Sequence, residues 1–476
     1  DLFFDHALDG INYPLNDYSD ISLIDDNPFT KKGVLNVDEL LQIIDKQILD
    51  QSIYRTRRNY LKFVDNGSSP INIIGSTINS LLNQNLTAHL THSPSATFHE
   101  VALIKYVREI VGYPYKKITS INDIGGYFVS GGMMANFSAL LVARNNIQAN
   151  AQSDGVTKKL KLIVPSFACH FSAWSSMGWL GYGENNTVHV KTNNFKYDLT
   201  ELENTIQSIK REGNEILAVV ASVGDSYSMS IENILEVRKI CDRYNIWLHG
   251  DGANCGILVF AKKYKKYVKD FHLCDSVSLD PHKLLGMNYP NSIFLCKDYT
   301  KFNTVISSWN IINKKGSFDL GMITPFLNSR GFDSLKLWLL LKYFGTDGVA
   351  SIIDNKIDAT KEIHRQLATI GNNILFHNDV QTFSIIFQII PDDFITKKID
   401  QKTIEDLNKI QDDFIDFTKS RGIIQIHSYK LPTSILHKEF ALAGSSVVLC
   451  IHNGHETVDN KMMASFLKSI REFLKQ

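Results

Sequence analysis

Between about residue 120 and residue 300 the chain alternates short apolar runs with amphipathic helices, and few folds accept that rhythm. The β-rich runs are Lys161–Pro165, Thr187–Lys191, Ile216–Val223, Ile246–Gly250, Ser276–Leu279 and Ser292–Cys296. Helical spacing fills some of the gaps, at Leu199–Arg211 and at Ile231–Tyr244, the second with Ile234, Val237, Ile240 and Cys241 on its inner side. Short buried strands separated by helices predict a mostly parallel sheet covered on both faces. In such sheets a ligand sits beyond the carboxyl ends of the strands. Functional residues are therefore expected where the apolar runs stop.

The flanks read differently. Residues 1–95 are helical and irregular, with a turn at Asn66–Pro70, and a helix is predicted over Thr97–Val111 with Val101, Ile104, Val107 and Val111 on one side. Beyond residue 330 helical stretches run over Ser334–Phe344 and Gly348–Leu367. Strand-like pieces follow at Gln381–Ile390 and Ser445–His452, then a helix near Asp459–Leu474. Three units are expected: an N-terminal helical segment (1–95), a large α/β domain (96–330) and a small α+β domain (331–476). Lys and Arg number 50, as do Asp and Glu, so the net charge is zero, which argues against a nucleic-acid or anionic-membrane partner. Apolar runs such as Ile216–Val223 are too short to span a bilayer. None of the six cysteines forms a CxxC pair, so we expect reduced thiols in a cytoplasmic protein, with no metal site and no secretory leader.

Three segments carry the chemistry. The first, Gly125–Asn136, places paired glycines before an apolar helix over Phe137–Arg144, with Gly132, Met133 and Met134 in the loop ahead of it. Glycines there let backbone amides approach an anion, although a Gly-Gly pair is as readily a tight turn. The second, Ile246–Ala253, ends an apolar run on Asp251, followed by Gly252 and the small Ala253. Alone, Asp251 reads equally as a turn or helix-capping residue. The third, Asp275–Gly286, sets Lys283 just past a strand and beside His282. Burial among apolar neighbours would lower the pKa of that amine and make it a nucleophile. An amine, a carboxylate facing a ring nitrogen, an anion cradle and a small residue beneath a ring are the parts that pyridoxal-phosphate chemistry requires.

These segments resemble the group II pyridoxal-phosphate-dependent amino-acid decarboxylases, the glutamate, cysteine-sulfinate, aromatic and 2,4-diaminobutyrate enzymes. Asp280-Pro281-His282-Lys283 is similar to the family's Asn-Pro-His-Lys, and Leu248–Ala253 to Leu-His-Val-Asp-Ala-Ala. The resemblance covers residues 80–345 well. It implies fold type I, the aspartate-aminotransferase-like architecture with a seven-stranded sheet, and a homodimer with shared active sites. It implies that Lys283 holds the cofactor as a Schiff base and that Asp251 pairs with the ring nitrogen. By the same resemblance His170 stacks on the ring, Ser226 lies near the cofactor, His282 is on the phosphate side, and Arg330 binds the substrate carboxylate. Asn83–Asn85 and Thr91–Thr97 are implied to reach the neighbour's site.

The sequence also departs from the family. Met133 and Met134 stand where hydroxyl or acidic residues are common. Asp225 replaces a threonine, and an unpaired carboxylate there would repel an acidic substrate side chain. Residues 300 to 342 contain no tyrosine, although relatives place a proton-donating tyrosine in the loop here read as Ser307–Gly316. Either His170 or Lys283 then protonates Cα, or the carbanion is diverted by oxygen to an aldehyde. The expected activity is decarboxylation of an L-amino acid to the amine. An aldehyde synthase, a carbon–carbon lyase and an inactive binding homologue remain as alternatives.

Overall fold

Seven strands form the sheet that the alternating pattern predicts: β1 (Gly126–Val129), β2 (Leu160–Pro165), β3 (Thr187–Val190), β4 (Glu215–Ser222), β5 (Leu248–Gly252), β6 (Ser276–Leu279) and β7 (Ser292–Cys296). Their order is β1-β7-β6-β5-β4-β2-β3, and of the seven only β7 runs antiparallel to its neighbours. The computed structural model describes residues 33, 36–49, 52–65, 67–306, 317–324, 326–397, 400–436 and 444–476. Every residue of β5, β6 and β7 is buried, and the polar ones of the first two, His249 and Asp251 of β5 and Ser276 and Ser278 of β6, bond one another and Asn136.

Among the described residues, the longer helices that precede the sheet are α1 (Val37–Ile44), α2 (Pro70–Leu82) and α3 (Pro94–Val111). Within it come α4 (Gly132–Ile147), α5 (Ser172–Trp179), α6 (Leu199–Arg211), α7 (Ile234–Tyr244) and the single turn α8 (Pro281–Leu284). Helix α6 starts where Asp198 accepts the amides of Thr200 and Glu201, a side-chain N-cap. Helix α4 is buried from Ala135 to Asn145 except at the half-buried Phe137, so it is a core helix and not a surface one. It packs across β4, β5, β6 and β7. Each fully buried aliphatic side chain there, such as Leu140 or Val142, contributes about 1.5–3 kcal/mol.

Three local readings differ from the expectation. The strand expected at Ile246–Gly250 is Leu248–Gly252. Asn245 closes α7 in the left-handed region (φ 53°), and the Ile246 amide still bonds Cys241 in that helix, so extension begins two residues later. Asp251 therefore lies inside the strand. Strand β1 was hidden in the glycine-rich segment because it is four residues long and glycine-led. Met133 and Met134 stand in the first turn of α4, which begins five residues before the expected Phe137.

Past the sheet, α9 (Leu335–Ala368) is broken at Gly345 (φ 67°, ψ 177°), between the two helical stretches read from the sequence. Strands β8 (Ile374–Phe376), β9 (Ser384–Ile389), β10 (His427–Pro432) and β11 (Ser445–His452) form an antiparallel sheet in the order β8-β9-β11-β10. Helices α10 (Gln401–Ser420) and α11 (Asn460–Phe473) cover it over a core built on Phe387, Phe414, Leu449 and Phe466. Among the described residues no helix is long and apolar enough to cross a membrane.

Candidate active site

Asp251 sits near the carboxyl end of β5, in register with Ser222 of β4 and Ser278 of β6. Its Oδ1 accepts the Ser278 hydroxyl (3.2 Å) and the Ala253 amide (3.2 Å), and its Oδ2 accepts Asn136 Nδ2 (2.8 Å). Behind Asn136 lies a directional chain. Burial holds His249 down to about 4, so the ring is neutral and carries one N–H. Trp247 Nε1 donates to Ser276 Oγ (2.9 Å), and His249 Nδ1 lies 3.0 Å from that hydroxyl and 3.2 Å from Ser276 O. Asn136 gives its amide nitrogen to Asp251 and to Ser172 Oγ (2.9 Å), so its Oδ1 faces His249 Nε2 (2.9 Å), which donates to it. The sequence reading missed Asn136, His249 and Ser276, although each lies in or beside a segment it singled out.

The first turn of α4 faces the same space. Gly131, its N-cap, makes no side-chain cap bond, and a Cβ there would meet open space. At Gly132 a Cβ would lie 2.8 Å from Asp280 Oδ2 and 3.1 Å from the Ala253 methyl, so only glycine admits this approach. Amides at the start of a helix with no protein cap are ready donors for an anion.

Lys283 lies on α8, with Nζ 3.4 Å from Asp280 Oδ2. Its side chain is 26% exposed and has a carboxylate beside it, so the expected burial among apolar groups is not found. Two buried lysines of α9 hold the loop that follows. Lys356 Nζ donates to Leu284 O (2.7 Å), and Lys336 Nζ to Asn288 O (3.2 Å) and Pro290 O (3.0 Å). Burial holds Lys356 down to about 8. The loop presents Tyr289, whose ring packs on His282 with centroids 4.1 Å apart and whose hydroxyl donates to Asp65 Oδ2 (3.0 Å). Burial lowers the pKa of both His170 and His282, with the neighbouring carboxylates opposing it. His170 Nδ1 accepts the Ser172 amide (3.2 Å), which leaves Nε2 to carry the proton.

These groups enclose one cavity of about 510 Å³. Lys283, His282, Asp251, Ala253, His170, Ser226, Asp225, Gly132, Met133 and Met134 all line it, as do Asn136, Asp280 and Tyr289, which sequence reasoning had not assigned. Proximity of Tyr289 to Lys283 in sequence was the available signal.

Two expectations change. Asp225 is not an open charge: its carboxyl accepts the amides of Tyr227 (2.8 Å), Ser228 (2.7 Å) and Ser230 (2.9 Å) and the Ser228 hydroxyl. It closes its own loop, so the argument against an acidic substrate falls away. Arg330 does not line the cavity. Its guanidinium makes a two-pronged ion pair with Glu100 of α3, which also accepts the Ser334 hydroxyl (2.9 Å). Asn85, expected to reach a neighbour, accepts the Thr87 amide (3.0 Å) and the Arg330 amide (3.3 Å). The loop Ser307–Gly316 lies outside the described residues.

A sheet of this topology, with an amine, a carboxylate and an anion cradle at its strand ends, defines the class of pyridoxal-phosphate enzymes. The family model of the pyridoxal-dependent decarboxylase conserved domain matches residues 29–390, and the chain belongs to that family. It is a fold type I carboxy-lyase that uses pyridoxal phosphate to decarboxylate an amino acid. The L-2,4-diaminobutyrate decarboxylase of Acinetobacter baumannii is 27% identical over 392 residues, 78% of this chain and 74% of the relative. The aromatic-L-amino-acid decarboxylase of Bacillus atrophaeus is 25% identical over 379 residues, 78% and 75%. A crystal structure of Oryza sativa TDC with PLP and tryptamine has the same fold, with a TM-score of 0.82 at 17% identity over 96% of this chain and 91% of that one.

The Glu100–Arg330 geometry makes a prediction. Glu100 is 1% exposed, so Glu100→Ala strands a buried guanidinium and is expected to cost about 3–5 kcal/mol in urea unfolding. Arg330→Lys is expected to lower stability with little change in substrate KM. A raised KM at unchanged stability would instead make Arg330 a substrate ligand.

Proposed function

We propose that Lys283, Asp251 and the first turn of α4 hold the cofactor, and that the reaction releases carbon dioxide and the amine of an L-amino acid. The observation that carries this assignment is the convergence of those groups on one cavity. The residues fit the cofactor: Gly131 and Gly132 leave a cradle that side chains would fill, and the donor set matches its anionic and basic ends. When bound, the cofactor supplies an aldehyde that bonds primary amines and a ring that takes up the electron pair released with carbon dioxide. Lys283 would supply the amine for the aldehyde. Asp251, oriented by Asn136, would hold a proton at the ring nitrogen. His170 and the small Ala253 would border the ring. The amides of Gly132, Met133 and Met134, with His282 and Ser226, would hold the phosphate end.

Among the described residues Tyr289 is the one phenol that lines the cavity. We assign to it the proton that Cα receives after carbon dioxide leaves. The phenol O–H breaks, the Cα–H forms, and the phenolate recovers a proton from solvent past Asp65, which pairs with Arg55.

A two-fold homodimer belongs to the same reading. Leu81 and Leu82 of α2 are 80% and 55% exposed, and Val37, Leu40 and Leu41 of α1 are exposed as well. Apolar surface of this kind calls for a partner. The reading divides the protomer at residues 95 and 330. A cytoplasmic setting is supported by six cysteines, none of them in a disulfide.

Three measurements test this. Lys283→Ala is expected to abolish turnover and the cofactor's visible absorbance, and Asp251→Ala to lower kcat by about 10³-fold or more, by analogy with loss of an electrostatic partner in a dry site. Full activity in either variant removes the assignment. Tyr289→Phe is expected to retain carbon dioxide release while products shift, under air, from amine to aldehyde with dioxygen as oxidant. An unchanged amine fraction by mass spectrometry denies Tyr289 its role. Sedimentation is expected to give twice the chain mass of 53.9 kDa, and a monomer would contradict the shared interface.

A further inference from the structure

Asp280 is 1% exposed, and it lines the cavity. Its Oδ2 lies 3.4 Å from Lys283 Nζ and 3.7 Å from His282 Nε2. Its Oδ1 is buried and has no hydrogen-bond partner. The same carboxyl packs against Gly132, the first residue of α4, closer than a side chain there could tolerate. An acidic group with an unused oxygen thus stands at the mouth of the anion cradle. The carboxyl occupies the place where the similar motif has an amide.

The cradle and the acid conflict once a phosphate enters. Without the cofactor, the Lys283 ammonium is the counter-ion of Asp280. On the functional reading above, on which this inference rests, Lys283 gives its nitrogen to the cofactor's aldehyde and that counter-ion is withdrawn. The other ionisable neighbours do not replace it. His282, on the same turn, and His170, ahead of α5, are both held below their usual pKa by burial and stay neutral near pH 7. Tyr289, from the following loop, is a phenol whose pKa burial raises. Helix α4 brings amides and no charged side chain at Gly132, Met133 or Met134. A carboxylate would then face a phosphate with nothing between them. A single proton shared by the two resolves the conflict, turning the unused oxygen into a donor or an acceptor for the phosphate.

We propose that Asp280 makes cofactor uptake proton-coupled: one proton enters with the phosphate and bridges it to the Asp280 carboxyl group. The affinity for pyridoxal phosphate therefore rises as the pH falls. Loss of the acid frees binding from pH and strengthens it at alkaline pH. The residue thus sets how firmly the protein keeps its cofactor, without touching the reacting carbon.

Pyridoxal, which lacks the phosphate, separates this effect from the titration of the Lys283 amine. The dissociation constants of pyridoxal and pyridoxal phosphate are measured by absorbance at pH 7, 8 and 9 for the wild type and for Asp280→Asn. In the wild type the ratio of the two constants is expected to fall by up to about tenfold for each pH unit gained. In Asp280→Asn the ratio is expected to be flat, with pyridoxal phosphate bound about tenfold or more tighter than by the wild type at pH 9. Pyridoxal uptake by the variant reports that its site is folded. A wild-type ratio that does not change with pH overturns the inference whatever the variant does, and so does an unaltered slope in Asp280→Asn. Wild-type protein that binds neither aldehyde overturns the functional reading along with it.

Discussion

Three donors from three elements converge on Asp251: an amide nitrogen from α4, a hydroxyl from β6 and a backbone N–H just beyond β5. The rest of the site depends on that convergence. A parallel sheet brings Ser222, Asp251 and Ser278 level with one another at its carboxyl edge, and this edge is where side chains can face a ligand without crossing the core. Helix α4 can lie across the sheet only because it is apolar almost all round, and that placement puts Asn136 within reach of β5. The Asn136 amide is held at both ends, its nitrogen by Asp251 and Ser172 and its oxygen by His249 Nε2.

Six of the seven strands of the large sheet were legible, β2, β4 and β7 because burial on both faces writes an apolar run into the sequence, and β3, where only Val190 is buried, through its β-branched residues. The seventh, Gly126–Val129, is too short and too rich in glycine to stand out from the turn beside it. The site was legible through residue types whose chemistry is specific, a lysine past a strand and an aspartate at a strand end. What could not be read was the use already made of each charge. Asp225 and Arg330 looked available because a sequence does not show that one is bound by its own loop and the other by Glu100, 230 positions away. Polar partners distant in the chain leave no periodic trace.

The position of Lys283 rests on a helix outside the sheet. The turn that bears it lasts four residues, too short to hold itself. Its carbonyls and those of the following loop are caught by Lys336 and Lys356 of α9, both nearly inaccessible to water. Burying two ammonium groups costs several kcal/mol each; carbonyl oxygens return part of it, and for Lys336 the Asp333 carboxylate at 3.0 Å returns more. Apolar residues would pack the same space at lower cost but would leave the carbonyls of Leu284, Asn288 and Pro290 without donors. The lysines therefore trade stability for a fixed course between Lys283 and Tyr289. The break at Gly345 divides α9 ahead of Lys356, so the two anchors lie on separately directed halves of one helix.

Three carboxyl groups share one cavity, and they differ in what remains of their bonding capacity. Asp225 has its oxygens filled by its own loop, so a ligand meets a surface that has already been neutralised. Asp251 is held by three donors, which orient it at the edge of the cavity. Asp280 has one oxygen beside a lysine and the other without a hydrogen-bond partner. A group whose bonds are complete can only position, whereas one with an open valence must respond when its neighbour changes partner. On the proposed assignment Lys283 changes partner when the cofactor enters, and the rearrangement of charge then falls on Asp280, 3.4 Å from its Nζ.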